Sequence, residues 1–199
     1  MGFAAIVLAA GAGRRFGGGK MIAPYKGRPL VTWAIETADR APVDEIIIVL
    51  GAEAQDVGRV VTNCTVSKPL RTVVATDWFV GVSASLRAGG DALHPETKGA
   101  FVLLGDMPSI PPTVLSPLAA AVRSGAPAAV PIFEGSKGHP VLLGRTLLDR
   151  LHELDGDHGA RSLLASVERD LAQIPSADPG ILFDVDYASA LGRENDRPN

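Results

Sequence analysis

The chain has 199 residues, 46% of them apolar, and a formal net charge of −3 at pH 7, enough for one domain with a sizeable core. No apolar run reaches the roughly 18 residues of a membrane-spanning helix, and no basic block or basic–aromatic interleaving marks a nucleic-acid surface, so neither membrane nor nucleic acid is an expected partner. One cysteine, Cys64, excludes an internal disulfide and a cysteine-based metal cluster and reads as a free core thiol.

The apolar start lacks a preceding basic region, so it reads as a strand rather than a signal peptide. Ile6 stands where a myristoylated N-terminus needs Ser or Thr. Cytoplasm is the expected location.

The first predicted strand, residues 4–9, runs into Ala10-Gly11-Ala12-Gly13-Arg14-Arg15-Phe16-Gly17-Gly18-Gly19-Lys20, a loop with five glycines, two arginines and a lysine. Glycine lets backbone N–H groups approach a ligand, and cations favour phosphate. A nucleotide phosphate is therefore the first ligand to test, against a plain tight turn. A P-loop needs Gly six residues before its lysine and a hydroxyl residue after it. Arg14 and Met21 hold those places, so that motif fails. A dinucleotide fingerprint needs a third glycine where Phe16 stands, and Gly17 to Gly19 and Pro24 break any following helix.

Further strands are predicted at 45–50, 72–75 and 100–104, alternating with helices at 30–41, 54–62, 82–93 and 112–124, the last with prolines near its start. Pro42, Gly51 and Gly125 punctuate these elements. Such alternation predicts a mostly parallel sheet with helices on both faces. Strands at 128–133 and 139–143, joined by Glu134-Gly135-Ser136-Lys137-Gly138, form a hairpin-like pair and predict an antiparallel edge. Helices at 145–153 and 160–167, a strand at 181–184 and a helix-like stretch at 187–191 follow. No repeat or linker interrupts the chain. The expectation is one domain over residues 1–193 with a polar tail at 194–199.

Several residues carry candidate chemistry. Asp106, in Leu104-Gly105-Asp106-Met107-Pro108, lies just past a buried strand, where ligands gather in parallel α/β sheets. Its carboxylate suits Mg²⁺, which takes one or two carboxylates plus substrate phosphates; a helix cap is the alternative. Asp186, in Asp184-Val185-Asp186, is a second candidate ligand, or a carboxylate at a helix N-terminus. Gly81, Ser83 and Ser85 open a helix where N–H groups and hydroxyls can hold an anion or a ribose, unless Ser83 is only the cap. Arg161 can fork a phosphate, with Asp157 orienting it, or the two form a structural ion pair. His94, His152 and His158 lack metal-site spacing, so zinc is not expected.

The segment Leu8-Ala9-Ala10-Gly11-Ala12-Gly13-Arg14-Arg15-Phe16-Gly17, continued by Lys20 and Pro24, resembles the signature loop of the MobA-like nucleotidyltransferase family, L-A-A-G-x-S/G-x-R-M-G-x-x-K-x-x-x-P, with Phe16 in place of Met. Leu104 to Pro108 resembles the family's metal-binding L-x-D-x-P. Asp184 to Ala190 partly resembles its D-V-D-T-P-E-D-L, with Tyr187, Ala188, Ser189 and Ala190 replacing T-P-E-D. Trp78 to Leu86 resembles W-x-x-G-x-S-x-S-L of the molybdenum-cofactor branch. Gly138 to Val141 and Leu154 to Arg161 resemble that branch's G-x-P-V and L-x-G-D-x-G-A/G-R. Within the branch, the chain is most similar to molybdopterin cytidylyltransferases.

The resemblance implies a single-domain three-layer α/β/α Rossmann-like (GT-A-like) fold. It implies Mg²⁺-dependent transfer of a nucleoside monophosphate from an NTP to the phosphate of a molybdopterin-type acceptor. CTP is favoured, because Leu-Ala-Ala-Gly differs from the L-A-G-G of guanylyl-transferring relatives; GTP is the alternative. Leu8, Ala9, Ala10, Gly11, Gly13, Arg15 and Lys20 would bind the nucleotide, and Arg15, Lys20 and Asp106 would be catalytic. Asp106 and Asp186 would hold metal. Gly81, Ser83, Ser85, His139, Asp157 and Arg161 would bind the acceptor, with no general base needed. A molybdoenzyme receiving the cofactor is a further partner so implied. A sugar-phosphate nucleotidyltransferase and a non-catalytic cofactor chaperone are the alternatives.

Overall fold

The structure is a computed structural model and describes residues 2–192; residue 193 and the expected tail lie outside the described residues. β1 (Phe3–Ala9) leads through the glycine loop to a small hairpin of β2 (Pro24–Tyr25) and β3 (Arg28–Pro29), then α1 (Leu30–Arg40), β4 (Glu45–Leu50) and α2 (Ala54–Thr62). Next come β5 (Leu70–Val74), α3 (Val82–Asp91), β6 (Gly99–Leu104) and α4 (Leu115–Arg123). The last third holds β7 (Ala128–Phe133), β8 (Ser136–Lys137), β9 (Val141–Gly144), α5 (Arg145–Leu148), α6 (Arg161–Ser166) and β10 (Ala172–Pro175). Among the described residues no helix is long and apolar enough to cross a membrane.

The strands form one mixed sheet in the order β10-β7-β9-β6-β1-β4-β5, with β8 added to the end of β7. All pairings along this path are parallel except those of β9. The side-chain alternation of strands divides the core into two layers. Ala5, Val7 and Ala9 of β1 face α1, α2 and α4 through Ile35, Val57 and Leu118. Ala4, Ile6 and Leu8 face Leu86 of α3, Leu147 of α5 and Leu163 of α6. Each layer is nearly dry, as a sheet covered on both sides must be.

The expected elements recur with four differences. The antiparallel strand is not at the edge: β9 lies between β6 and β7, because the chain makes its tight turn with the two-residue β8 and only then crosses to pair with β6. The edge is taken by β10, a short strand ending in Pro175 that the periodicity did not mark. The strand expected at 181–184 is instead a 3-10 turn, Pro179–Leu182, started by proline and capped by Asp178, whose carboxylate accepts the Gly180 N–H at 2.8 Å. The helices expected at 112–124 and 145–153 are each split, with 3-10 turns at Pro112–Val114 and Leu151–Glu153.

Candidate active site

Register places the site. Leu8 of β1 pairs with Leu104 of β6, and Ala9 with Leu50 of β4. The glycine loop, the Gly105-Asp106 turn and the Gly51 loop therefore leave the sheet together at the carboxyl ends of parallel strands, where α/β sheets bind ligands. Gly105 donates its N–H to the Leu8 carbonyl at 2.9 Å, locking the first two loops side by side.

Lys20 is the centre of the charge arrangement. Its residue is only 6% exposed, and its Nζ lies 2.5 Å from Asp106 Oδ2 and 3.3 Å from Asp186 Oδ1. Gly13 packs directly on it: with φ of +56°, Gly13 leaves room that a Cβ would fill, 2.8 Å from Lys20 Cβ. Asp106 thus takes an ion-pair role rather than a helix cap. Asp186 arrives from the far end of the chain. Val185 is fully buried beside Tyr25 and Leu30 and donates its N–H to the Asp106 carbonyl at 3.0 Å. That anchor lets Asp186 reach both Lys20 and Arg15, whose guanidinium is 3.1 Å away and largely exposed. Burial, then the neighbouring Asp186 and Asp106 charges, hold the Asp184 carboxyl above its usual range.

Two cavities flank this centre. One, about 350 Å³, is lined by Leu8, Ala10, Gly11, Gly13, Asp106 and the α3 start with Gly81 and Ser85; Arg14, Phe79 and Asp157 also border it. The other, about 530 Å³, is lined by His139, Arg161, Lys137, Met107, Ile181 and Asp184 among others. A smaller one, about 200 Å³, touches Leu8, Asp157, His139 and Arg161 and lies between them.

The sequence-predicted residues thus fall into groups. Leu8, Ala10, Gly11 and Gly13 meet at the first cavity, whereas Ala9 points into the core. Of the six residues grouped on the acceptor side, Gly81, Ser85 and Asp157 share the cavity of the glycine loop, and His139 and Arg161 line the other. Ser83 is fully buried, and its hydroxyl donates to the Asp155 carbonyl at 3.0 Å. It therefore ties α3 to the distant Asp155 loop, 72 residues further along the chain, and is not the cap; Gly81 holds the cap position with no side-chain bond. Asp157 and Arg161 form no ion pair among the described residues. Burial pushes the His139 imidazole pKa below the ordinary value, against a hydrogen bond with the Val102 backbone and the Asp106 charge. Its Nδ1 is buried with no hydrogen-bond partner among the described residues. Sequence reasoning missed Glu53, which accepts the Gly19 N–H at 2.5 Å, and preferred Asp186 over Asp184 within their shared segment. The Asp184-Val185-Asp186 spacing was the available signal for Asp184; for Glu53, a carboxylate just before a helix reads only as a cap.

The donor set fits a divalent cation. Two carboxylates, Asp106 and Asp186, already converge on the Lys20 ammonium, and the nearby Asp184 carboxyl is held above its usual range first by burial and then by the Asp186 and Asp106 charges. Among the described residues no group of three or more His, Cys, Asp or Glu side chains is assembled as a complete metal site.

Comparison with protein families matches residues 5–172 to the MobA-like NTP transferase domain. The nicotine blue oxidoreductase of Paenarthrobacter nicotinovorans is 34% identical over 94% of both chains. A probable molybdenum cofactor guanylyltransferase of Thermococcus gammatolerans is 32% identical over 68% of this chain and 65% of its own. Among solved structures, the Rv0371c protein of Mycobacterium tuberculosis superposes with a TM-score of 0.78 at 28% identity over 93% of each chain. The same protein in complex with manganese gives a TM-score of 0.70 at 25% identity over 87% of each.

Proposed function

The chain belongs to the MobA-like NTP transferase family and is a nucleotidyltransferase, and from that premise we propose that it transfers a nucleoside monophosphate to the phosphate of a molybdopterin-type acceptor. The observation that carries this reading is Lys20, buried against Asp106 and Asp186 at the foot of a glycine loop. In the reaction, an acceptor phosphate oxygen attacks the α-phosphorus of the NTP, a new P–O bond forms, and pyrophosphate leaves with the electron pair of the broken bond. No covalent intermediate or general base is required when the acceptor phosphate is already ionised. The work is positioning and charge neutralisation.

Backbone N–H groups from Gly11 to Gly13 cradle the triphosphate. Lys20 and Arg15 neutralise charge on the α-phosphate and on the departing pyrophosphate. Asp106 and Asp186 would hold Mg²⁺, which would supply positive charge to neutralise the phosphates. The nucleoside occupies the cavity of about 350 Å³ beside Gly81 and Ser85. The acceptor occupies the cavity of about 530 Å³, where Arg161 meets its phosphate and burial holds the His139 pKa below its ordinary value. CTP is the first choice of nucleotide on the Ala10 criterion, and GTP the alternative, supported by the guanylyltransferase relative. We place the domain within residues 1–193 and expect a molybdoenzyme to take up the product.

A second reading rests on one observation, the 34% identity to a nicotine blue oxidoreductase over nearly all of both chains. It assigns the cavities to nicotine blue and its redox partner.

The test is pyrophosphate release by purified protein with Mg²⁺, a molybdopterin-type acceptor, and CTP or GTP in turn. Release with CTP supports the full reading, and release with GTP alone corrects the base. Absence of release with both, together with redox turnover of nicotine blue, replaces it with the second reading.

A further inference from the structure

We propose that Glu53 is a positioning residue that clamps the glycine loop and so sets where Lys20 stands; its purpose rests on the transferase reading. Glu53 immediately precedes α2 but makes no capping bond to it. Its side chain turns instead to a residue 34 positions earlier, where Oε1 accepts the Gly19 N–H at 2.5 Å. Oε2 is buried with no hydrogen-bond partner among the described residues. A carboxylate that forgoes the helix N-terminus beside it leaves one oxygen unsatisfied in order to hold a glycine.

The segment carrying Glu53 also holds the other end of the loop. Ala52 donates its N–H to the Ala10 carbonyl at 3.0 Å. Gly51 approaches so closely that a Cβ there would sit 2.4 Å from the same oxygen. Ala10 and Gly19 bound the loop, so Gly51 to Glu53 stakes both of its ends.

The interior of the loop needs such staking. The N–H groups of Phe16, Gly17 and Gly18 all converge on the Gly13 carbonyl, at 2.9, 3.0 and 3.2 Å. Gly17, Gly18 and Gly19 have φ of 97°, 91° and 66° in succession. Consecutive glycines have little preference for one conformation and lose much entropy when ordered. The Glu53 bond falls on the last of them, one residue before Lys20. From there the chain enters its 3-10 turn, Lys20–Ile22, and Nζ reaches Asp106. A loop released at Gly19 would lose the register of Lys20 first.

The experiment compares wild type with Glu53→Ala and Glu53→Gln, by amide hydrogen exchange of the ligand-free protein and by equilibrium binding of CTP and of GTP, each with Mg²⁺. For Glu53→Ala, exchange across residues 13–19 should accelerate about 10- to 100-fold, the range of one hydrogen bond to a charged group. Nucleotide affinity should fall by a similar factor, while exchange within α2 stays unchanged. Glu53→Gln retains an oxygen acceptor and should recover most of both losses. Unchanged loop exchange in Glu53→Ala, faster exchange without loss of affinity, or a Gln variant as impaired as Ala would each overturn the clamp. A wild-type protein that binds neither nucleotide overturns the transferase reading, and the exchange comparison then still decides whether Glu53 holds the loop.

Discussion

Gly13→Ala puts the central contact of the site under strain. Gly13 sits at φ of +56°, where a residue with a side chain pays about 1–2 kcal/mol. The new methyl would lie 2.8 Å from Lys20 Cβ, roughly 1 Å inside an ordinary carbon–carbon contact. Lys20 Cβ is fixed to the backbone and cannot swing aside, so the loop or the lysine must move. Overpacking of this kind costs about 1–3 kcal/mol, giving a total of about 2–5 kcal/mol. At about 2–4 °C per kcal/mol for a chain of this size, the melting temperature should fall by roughly 4–20 °C. Displacing Lys20 by even part of 1 Å should also lower turnover about 100-fold. Gly11→Ala is the internal control, since a Cβ there meets nothing within 4 Å; its stability should stay within about 0.5 kcal/mol of wild type. Calorimetry and a pyrophosphate-release assay measure both effects. A Gly13→Ala protein with wild-type melting and turnover would refute the packing argument, as would a Gly11→Ala protein destabilised as much as Gly13→Ala.

Lys20→Ala takes the cation from Asp106 and leaves Asp186 with its ion pair to Arg15. Because Asp186 is partly exposed, the cost should be about 1–3 kcal/mol rather than that of a fully buried pair, with turnover reduced about 100- to 1000-fold, read by denaturant melts and initial rates. Mg²⁺ should raise the melting temperature of wild type in proportion to ln(1 + [Mg²⁺]/Kd); Asp106→Asn should abolish that rise in scanning fluorimetry, and an undiminished rise would remove Asp106 from the metal site. His139 has its pKa lowered chiefly by burial, so the unfolded chain binds the extra proton first. Stability should therefore fall as pH drops below about 6.5, and His139→Gln should flatten that part of the melting-temperature profile. Arg161→Ala removes an exposed guanidinium that has no ion pair among the described residues; it should raise the acceptor KM about tenfold and leave nucleotide affinity unchanged, as separate titrations would show.

The layered fold was legible because β1, β4 and β6 are apolar on both faces, the mark of strands covered on both sides. Asp106 and Lys20 were legible because each directly follows or closes such a strand's loop. What stayed hidden depends on distant partners. β10 has only four residues, with inner and outer positions alternating under no strong apolar signal, and it becomes a strand only because β7 offers an edge. The position of β9 hinges on β8, a two-residue strand too short to show a period. Asp157 and Arg161 sit four residues apart, the spacing of a helical ion pair, yet Asp157 lies in a 3-10 turn before α6 begins, so that spacing does not bring them together. Glu53 has no local signature at all, since its partner is the N–H of a glycine 34 residues away.

The similarity to a nicotine blue oxidoreductase weighs on the whole chain, whereas the choice between transfer and reduction falls on a few atoms. Moving a nucleotidyl group needs cations at the α-phosphate and carboxylates to hold a metal. In this chain the space past β1 and β6 holds Lys20, Arg15, Asp106 and Asp186 in one connected set of ion pairs. A buried lysine between two carboxylates is costly to assemble, and without phosphate to bind it would serve no purpose that an apolar side chain could not serve more stably. Lys20→Met therefore separates the two activities. It should abolish pyrophosphate release while the apolar cavity walls, and any reductase activity they support, survive. Loss of a measured reductase activity in that variant with transferase activity intact would assign the ion-pair set to redox chemistry instead.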